Sequence, residues 1–194
     1  MGLQSMAFPA GKKCGMRRFR ADKRIHFSAA CYAFGSISGV IISCLVSSEL
    51  LQSSAAFFLH ACTQSPVWFF LLGAFLIPGM MILSGLSIAG CVLVPVILML
   101  FGGSFGWVIS CLSRTHIIPL DGAVLFCAAG LPALPATVLL GAASLHLSAM
   151  LRCLVKNHAA GKPDFSGELL RTAVLSAIIL LSLTLQAMCL RIGI

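Results

Sequence analysis

The sequence predicts an all-α, polytopic transmembrane helical bundle of about five spans with Gly/Pro-broken helices. Two compositional observations predict it. Of 194 residues, 59% are hydrophobic and 9% are charged, against about 45–50% and about 25% in soluble domains. The mean hydropathy of +1.05 points the same way. A third observation is positional: residues 50–113 contain no Asp, Glu, Lys or Arg. At about 1.5 Å per residue, that stretch reaches roughly 96 Å if helical, enough for two crossings or three of a core about 30 Å thick. The composition excludes a free globular enzyme, a disordered tail and a DNA-binding domain.

The first element is a basic N-terminal arm, residues 1–26, read as cytoplasmic. Lys12, Lys13, Arg17, Arg18, Arg20, Lys23 and Arg24 precede the first apolar run, with Asp22 the only acid among them. Basic segments beside a span stay in the cytoplasm. Anionic lipid head groups add roughly 1 kcal/mol of attraction per basic residue near the surface. No aromatic platform or DNA-binding motif follows, so the net charge of +8 does not imply a nucleic-acid partner.

The remainder, residues 27–194, reads as one integral membrane domain. The first span, about 27–48, is too long for a secretory h-region of about 7–15 residues. Ser28-Ala29-Ala30-Cys31 lies at the start of that run, where a lipoprotein cleavage site would not fall. Met6 breaks the myristoylation pattern that Gly2 would open. The segment Leu50–Pro66, interrupted by Gln52, Ser53, Ser54, His60, Thr63, Gln64 and Ser65, reads as external, with an interfacial helix around Ala55–Leu59. Spans two and three are expected at about 67–83 and 86–112. Span four, about 123–151, is interrupted by Pro132 and Pro135. A polar loop follows, with Arg152, Lys156, Lys162 and Arg171 against Asp164 and Glu168. Gly161-Lys162-Pro163-Asp164 is a turn signal, and Ser166 is an expected N-cap of the last helix. The fifth span is about 172–190.

Parity fixes the count. If the arm and the 152–171 loop are both cytoplasmic, an even number of crossings separates them. Residues 50–113 then supply two crossings, and the C-terminus ends outside the cytoplasm.

Residues that carry chemistry are scarce. No acidic or basic residue falls inside a span, whereas proton relays and intramembrane metalloproteases depend on such groups. The nine cysteines are scattered and form no CxxC, so they read as small apolar packing. His60 and Cys62 lack a third ligand. No metal, cofactor or catalytic set is expected. His146, near the inner end of span four, reads as an interface or snorkelling histidine. Gly35-Ser36-Ile37-Ser38-Gly39 superficially resembles a serine-hydrolase turn, but Gly35 and Gly39 also form GxxxG, as do Gly102 and Gly106. Close helix packing is the better reading. Gly130, Pro132, Pro135 and Gly141 join these four as expected packing or partner-interface positions. Pro78-Gly79, Gly85, Gly90, Pro95 and Gly103 also break or bend the helices. No internal repeat is evident, which disfavours an inverted-repeat transporter.

Two stretches resemble the stage II sporulation protein M family of bacterial membrane proteins. One is Gly85-Leu86-Ser87-Ile88-Ala89-Gly90, continuing through Val94-Pro95-Val96-Ile97-Leu98 to Gly102-Gly103-Ser104-Phe105-Gly106. The other is Gly130-Leu131-Pro132-Ala133-Leu134-Pro135-Ala136, followed by Leu139-Leu140-Gly141-Ala142-Ala143-Ser144-Leu145. The chain departs from the family at Ala129, Gly130 and Ala133, where many members carry polar residues. The resemblance implies a non-enzymatic scaffold in the cell membrane that anchors peptidoglycan-remodelling hydrolases during spore engulfment. The alternative from a different class is a permease-like transporter subunit paired with a cytoplasmic ATPase docked on the 152–171 loop.

Overall fold

A computed structural model describes residues 11–64, 67–115, 120–156 and 165–192, with side chains described over 23–57, 60, 75–114, 124–155 and 166–189. Seven helices make up these residues: α1 Gly11–Leu45, α2 Ser48–Gln64, α3 Val67–Gly85, α4 Gly90–Thr115, α5 Leu120–Gly130, α6 Ala133–Lys156 and α7 Phe165–Ile192. No strand occurs among the described residues. The chain is an all-α bundle, as its composition predicts.

Four described stretches are long and apolar enough to cross a membrane: Lys23–Leu45, Gly90–Arg114, Val124–Val155 and Ser166–Cys189. Their directions follow from which residues meet. Along α1, Gly35 and Gly39 meet Met99 and Gly103 of α4, and Ser43 meets Ser110. Numbers rise together, so α1 and α4 run parallel. In α6 the order is reversed: Gly141 lies against Leu98, and Arg152 bonds Ile88 before α4 begins. Hence α6 is antiparallel to α4. Glu168 of α7 lies beside His146, and Gln186 beside Phe126, so α7 runs antiparallel to α5 and α6.

Two parallel helices joined through the membrane need one crossing between them. α3 supplies it. Its 19 residues extend about 28 Å, matching a hydrocarbon core of about 30 Å. Its last residue, Gly85, abuts Ser144, midway along α6. The alternation α1, α3, α4, α5–α6, α7 is thus consistent with the five crossings that parity requires.

Three boundaries differ from expectation. α1 is unbroken from Gly11, so the basic arm and the first span share one helix; the side chains of Lys12, Lys13, Arg17, Arg18 and Arg20 lie outside the described residues. The Leu50–Pro66 segment is helical over Ser48–Gln64, far beyond the expected short helix. Its polar residues mislead because Ser53 and Ser54 donate back to the Leu50 carbonyl at 3.0 and 2.7 Å, which satisfies them without leaving the helix. Leu51 and Ala55 are buried against Cys111 and Trp107. Lastly, α7 starts at Phe165, so Ser166 lies inside the first turn with Glu168, not at the cap.

The centre is filled by Met81, Val94, Leu98, Leu140 and Ile179, all 0% exposed. Cys31, Tyr32 and Ala136 complete that cluster. Tyr32 stacks in tilted geometry on Phe101 and Phe105, with centroids 6.1 and 6.3 Å apart. The outer surface carries exposed Phe34, Ile37, Leu45, Leu83 and Leu100. In water such a shell would drive aggregation; in a bilayer it is the lipid-facing surface.

Candidate functional site

The tightest contact is the α1–α4 crossing. A Cβ built on Gly35 would stand 2.2 Å from the Met99 carbonyl oxygen; on Gly39, 2.1 Å from that of Gly103. On Gly102 it would meet the Tyr32 oxygen at 2.3 Å, and on Gly106 the Ser36 oxygen at 2.1 Å. Each of the four GxxxG glycines therefore faces backbone of the other helix. Small residues let transmembrane backbones approach closely, which replaces a hydrophobic drive that lipid cannot supply. The structure brings these four predicted residues together within one chain. Their faces are covered by α1 and α4 themselves, so a partner protein does not contact the same surface while these helices are packed.

The crossing is closed at one end by polar groups. Ser43 donates to Ser110 Oγ, and Arg114 Nη1 donates to the Ser43 carbonyl at 2.8 Å. That carbonyl sits in the last turn of α1, where helix oxygens lack intrahelical partners.

The opposite end holds a junction that no short-range pattern reveals. Arg24 of α1 contacts Nδ1 of His146 in α6, and His146 Nε2 lies 3.8 Å from Glu168 Oε1 in α7. Three helices meet on one imidazole. Two residues further along α6, Ser148 Oγ donates to the Ser87 carbonyl at 2.9 Å. One turn on, Arg152 donates from Nε and Nη2 to the Ile88 carbonyl at 2.8 and 2.6 Å. These bonds fix the α3–α4 turn to α6. His146 and Glu168 side chains are 41% and 22% exposed, so the pair contributes within the range of exposed ion pairs, about 0–1 kcal/mol. His146→Ala is accordingly expected to lower stability by less than about 1 kcal/mol and to leave partner binding intact. Thermal melting of the variant in detergent, beside its recovery with partners, checks both.

The third feature is the break between α5 and α6. Pro132 and Pro135 carry no N–H, so the helix cannot continue its own bonding through them. Leu131 N bonds both the Cys127 and Ala128 carbonyls, and Leu134 N bonds that of Leu131. α7 reaches in from the side: Ser182 Oγ donates to the Ala129 carbonyl at 2.5 Å, and buried Gln186 Nε2 to that of Phe126 at 3.2 Å. Irregular backbone at membrane depth requires this kind of substitute partner. A Cβ on Gly130 would stand 2.1 Å from Gln186 Nε2, so the absence of a side chain there admits the amide. Both prolines are exposed at the break. Gly141 lies elsewhere, in the core, where a Cβ would meet Leu98 Cδ1 at 2.7 Å.

Chemically these arrangements hold helices. Ser36 and Ser38 donate to Tyr32 and Phe34 carbonyls of their own helix. His146 is tied to Arg24, about 18 Å along α1 from Ser36, so the two do not form a nucleophile–base pair. Among the described residues, no three His, Cys, Asp or Glu side chains gather as a metal ion would need. Cys14 and Cys62 side chains lie outside the described residues. No family model, no curated protein and no solved structure matches the chain.

Proposed function

We propose that this chain is a bacterial cell-membrane scaffold that acts by holding partner membrane proteins and catalyses nothing. Its partners, on the resemblance to the stage II sporulation protein M family, are peptidoglycan-remodelling hydrolases of spore engulfment. The observation that carries this reading is the plugged centre: Met81, Val94, Leu98, Leu140 and Ile179 are 0% exposed where a conduit would need polar lining. With the GxxxG faces internal, partners dock on the outer apolar faces and on α2. The basic arm sits in the cytoplasm against anionic head groups, and α7 ends on the other side.

The test is to cross-link membranes of the native host during sporulation, purify the tagged protein and identify what accompanies it. Wall hydrolases with extracytoplasmic catalytic domains are expected. Recovery of a cytoplasmic ATPase without any hydrolase would overturn the reading in favour of a transporter subunit.

A further inference from the structure

A groove of about 450 Å³ opens between α2 and α4. Its walls are Ser53, Ser54 and Phe57 on one side and Trp107, Val108 and Leu112 on the other. It exists because α2 touches α4 through a small cluster of its own, Leu51 and Ala55 on Cys111 and Trp107, separate from the main core. The groove presents few hydrogen-bonding demands. The hydroxyls of Ser53 and Ser54 are spent on the Leu50 carbonyl. A ligand for these walls is therefore apolar along its length, and in a bilayer the abundant molecule of that kind is an acyl chain.

Each of the two helices carries a charged residue about one turn beyond the residues that line the groove. Glu49 lies one turn before Ser53 on α2, and Arg114 one turn beyond Cys111 on α4; both are exposed. Arg114 bonds the Ser43 carbonyl, and α2 begins only five residues after Ser43, so the helix turns that carry the two charges lie at the same end of the α2–α4 pair. The described ion pairs do not include one between them. Arg114 spends one N–H on the Ser43 carbonyl and has four of its five donors left. A carboxylate and a guanidinium flanking an apolar slot match a head group that carries both a cation and an anion.

We propose that this groove binds a phospholipid of the phosphatidylethanolamine type, one acyl chain along Phe57 and Trp107, its phosphate on Arg114 and its ammonium on Glu49. Such a lipid ties α2 to the bundle where the protein's own contacts are sparse.

Trp107 reports on the groove directly. The chain has two tryptophans, and Trp68→Phe leaves Trp107 alone. The full chain, in uncharged maltoside micelles, is titrated with phosphatidylethanolamine or phosphatidylglycerol brominated on the acyl chains, which quench tryptophan on contact. Saturable quenching by the ethanolamine lipid is expected at about threefold lower concentration than by the glycerol lipid, the size of effect an exposed ion pair supplies. Glu49→Gln removes that difference. Val108→Phe, which fills the slot, removes saturable quenching by both. Unsaturable quenching that tracks the micellar lipid fraction equally for both lipids overturns the proposal. So does a preference for the glycerol lipid, or a preference that survives Glu49→Gln, an exposed position whose replacement leaves the fold intact.

Discussion

Gly39→Leu and Gly106→Leu are each expected to leave little or no folded protein. The reason is the nature of the obstacle. A Cβ at either position lands 2.1 Å from a carbonyl oxygen of the facing helix, and backbone in the middle of a helix has no rotamer to swing away. The two helices have to separate along the whole crossing. Forcing one extra methylene into a packed interior costs about 1–3 kcal/mol, and here a full leucine replaces hydrogen while the Tyr32, Phe101 and Phe105 packing is pulled apart with it. A loss above about 3 kcal/mol consumes much of a total stability of about 5–15 kcal/mol. Gly103→Ala is the internal control. It sits beside Gly102 in α4, but a Cβ there meets only the Gly35 oxygen, at 3.6 Å, an ordinary contact. It is expected to be neutral or to gain up to about 1 kcal/mol from helix propensity. Size-exclusion profiles and melting temperatures in detergent separate the two outcomes. Equal tolerance at positions 103 and 106 would remove the crossing from the account.

At the α5–α6 break, Gly130→Ala is expected to cost about 1–3 kcal/mol, and the cost is expected to depend on Gln186. A methyl at position 130 occupies the place of Gln186 Nε2. The displaced amide is 6% exposed, and the Phe126 carbonyl loses its donor from Gln186. Gln186→Ala alone removes one interhelical hydrogen bond, a loss of about 0.6 kcal/mol on average in membrane bundles. In the double variant the clash has no partner, so most of the Gly130→Ala penalty disappears. The coupling is expected within the 0.5–3 kcal/mol range of contacting residues, with the double variant more stable than the sum of the single effects implies. Denaturant unfolding of the four proteins in micelles measures it. Strict additivity would mean that Gln186 does not clasp the break.

The bundle's layout was largely legible because lipid imposes it. Charge-free runs marked the crossings, and parity between the basic arm and the 152–171 loop required two crossings within residues 50–113. The parallel course of α1 and α4, with α3 between them, agrees with that count. Pro132 and Pro135 marked the break in the fourth crossing. Pairing was less legible. GxxxG at Gly35/Gly39 and at Gly102/Gly106 announces close approach but does not say to what, and the two motifs prove to face each other. The Arg24–His146–Glu168 junction was invisible for a different reason: its members lie far apart in the chain, and only the antiparallel return of α6 and α7 brings them to one end. The extent of α2 was underestimated, as a short interfacial helix around Ala55–Leu59, because Gln and Ser read as interruptions, whereas hydroxyls that bond back to their own helix keep it helical.

Five crossings are expected between the Arg24–Arg152 end of the bundle and the Ser43–Arg114 end. Cysteine labelling tests this most directly. Single-cysteine variants that retain Cys14, Cys62 or Cys153 are treated on intact cells with a membrane-impermeant maleimide. Cys153 is exposed on α6 next to Arg152, at the end assigned to the cytoplasm. Cys62 falls in the last turn of α2, which the five-crossing reading assigns to the outside. Cys62 is expected to label on intact cells, and Cys14 and Cys153 only after lysis. Labelling of Cys153 before lysis would contradict this.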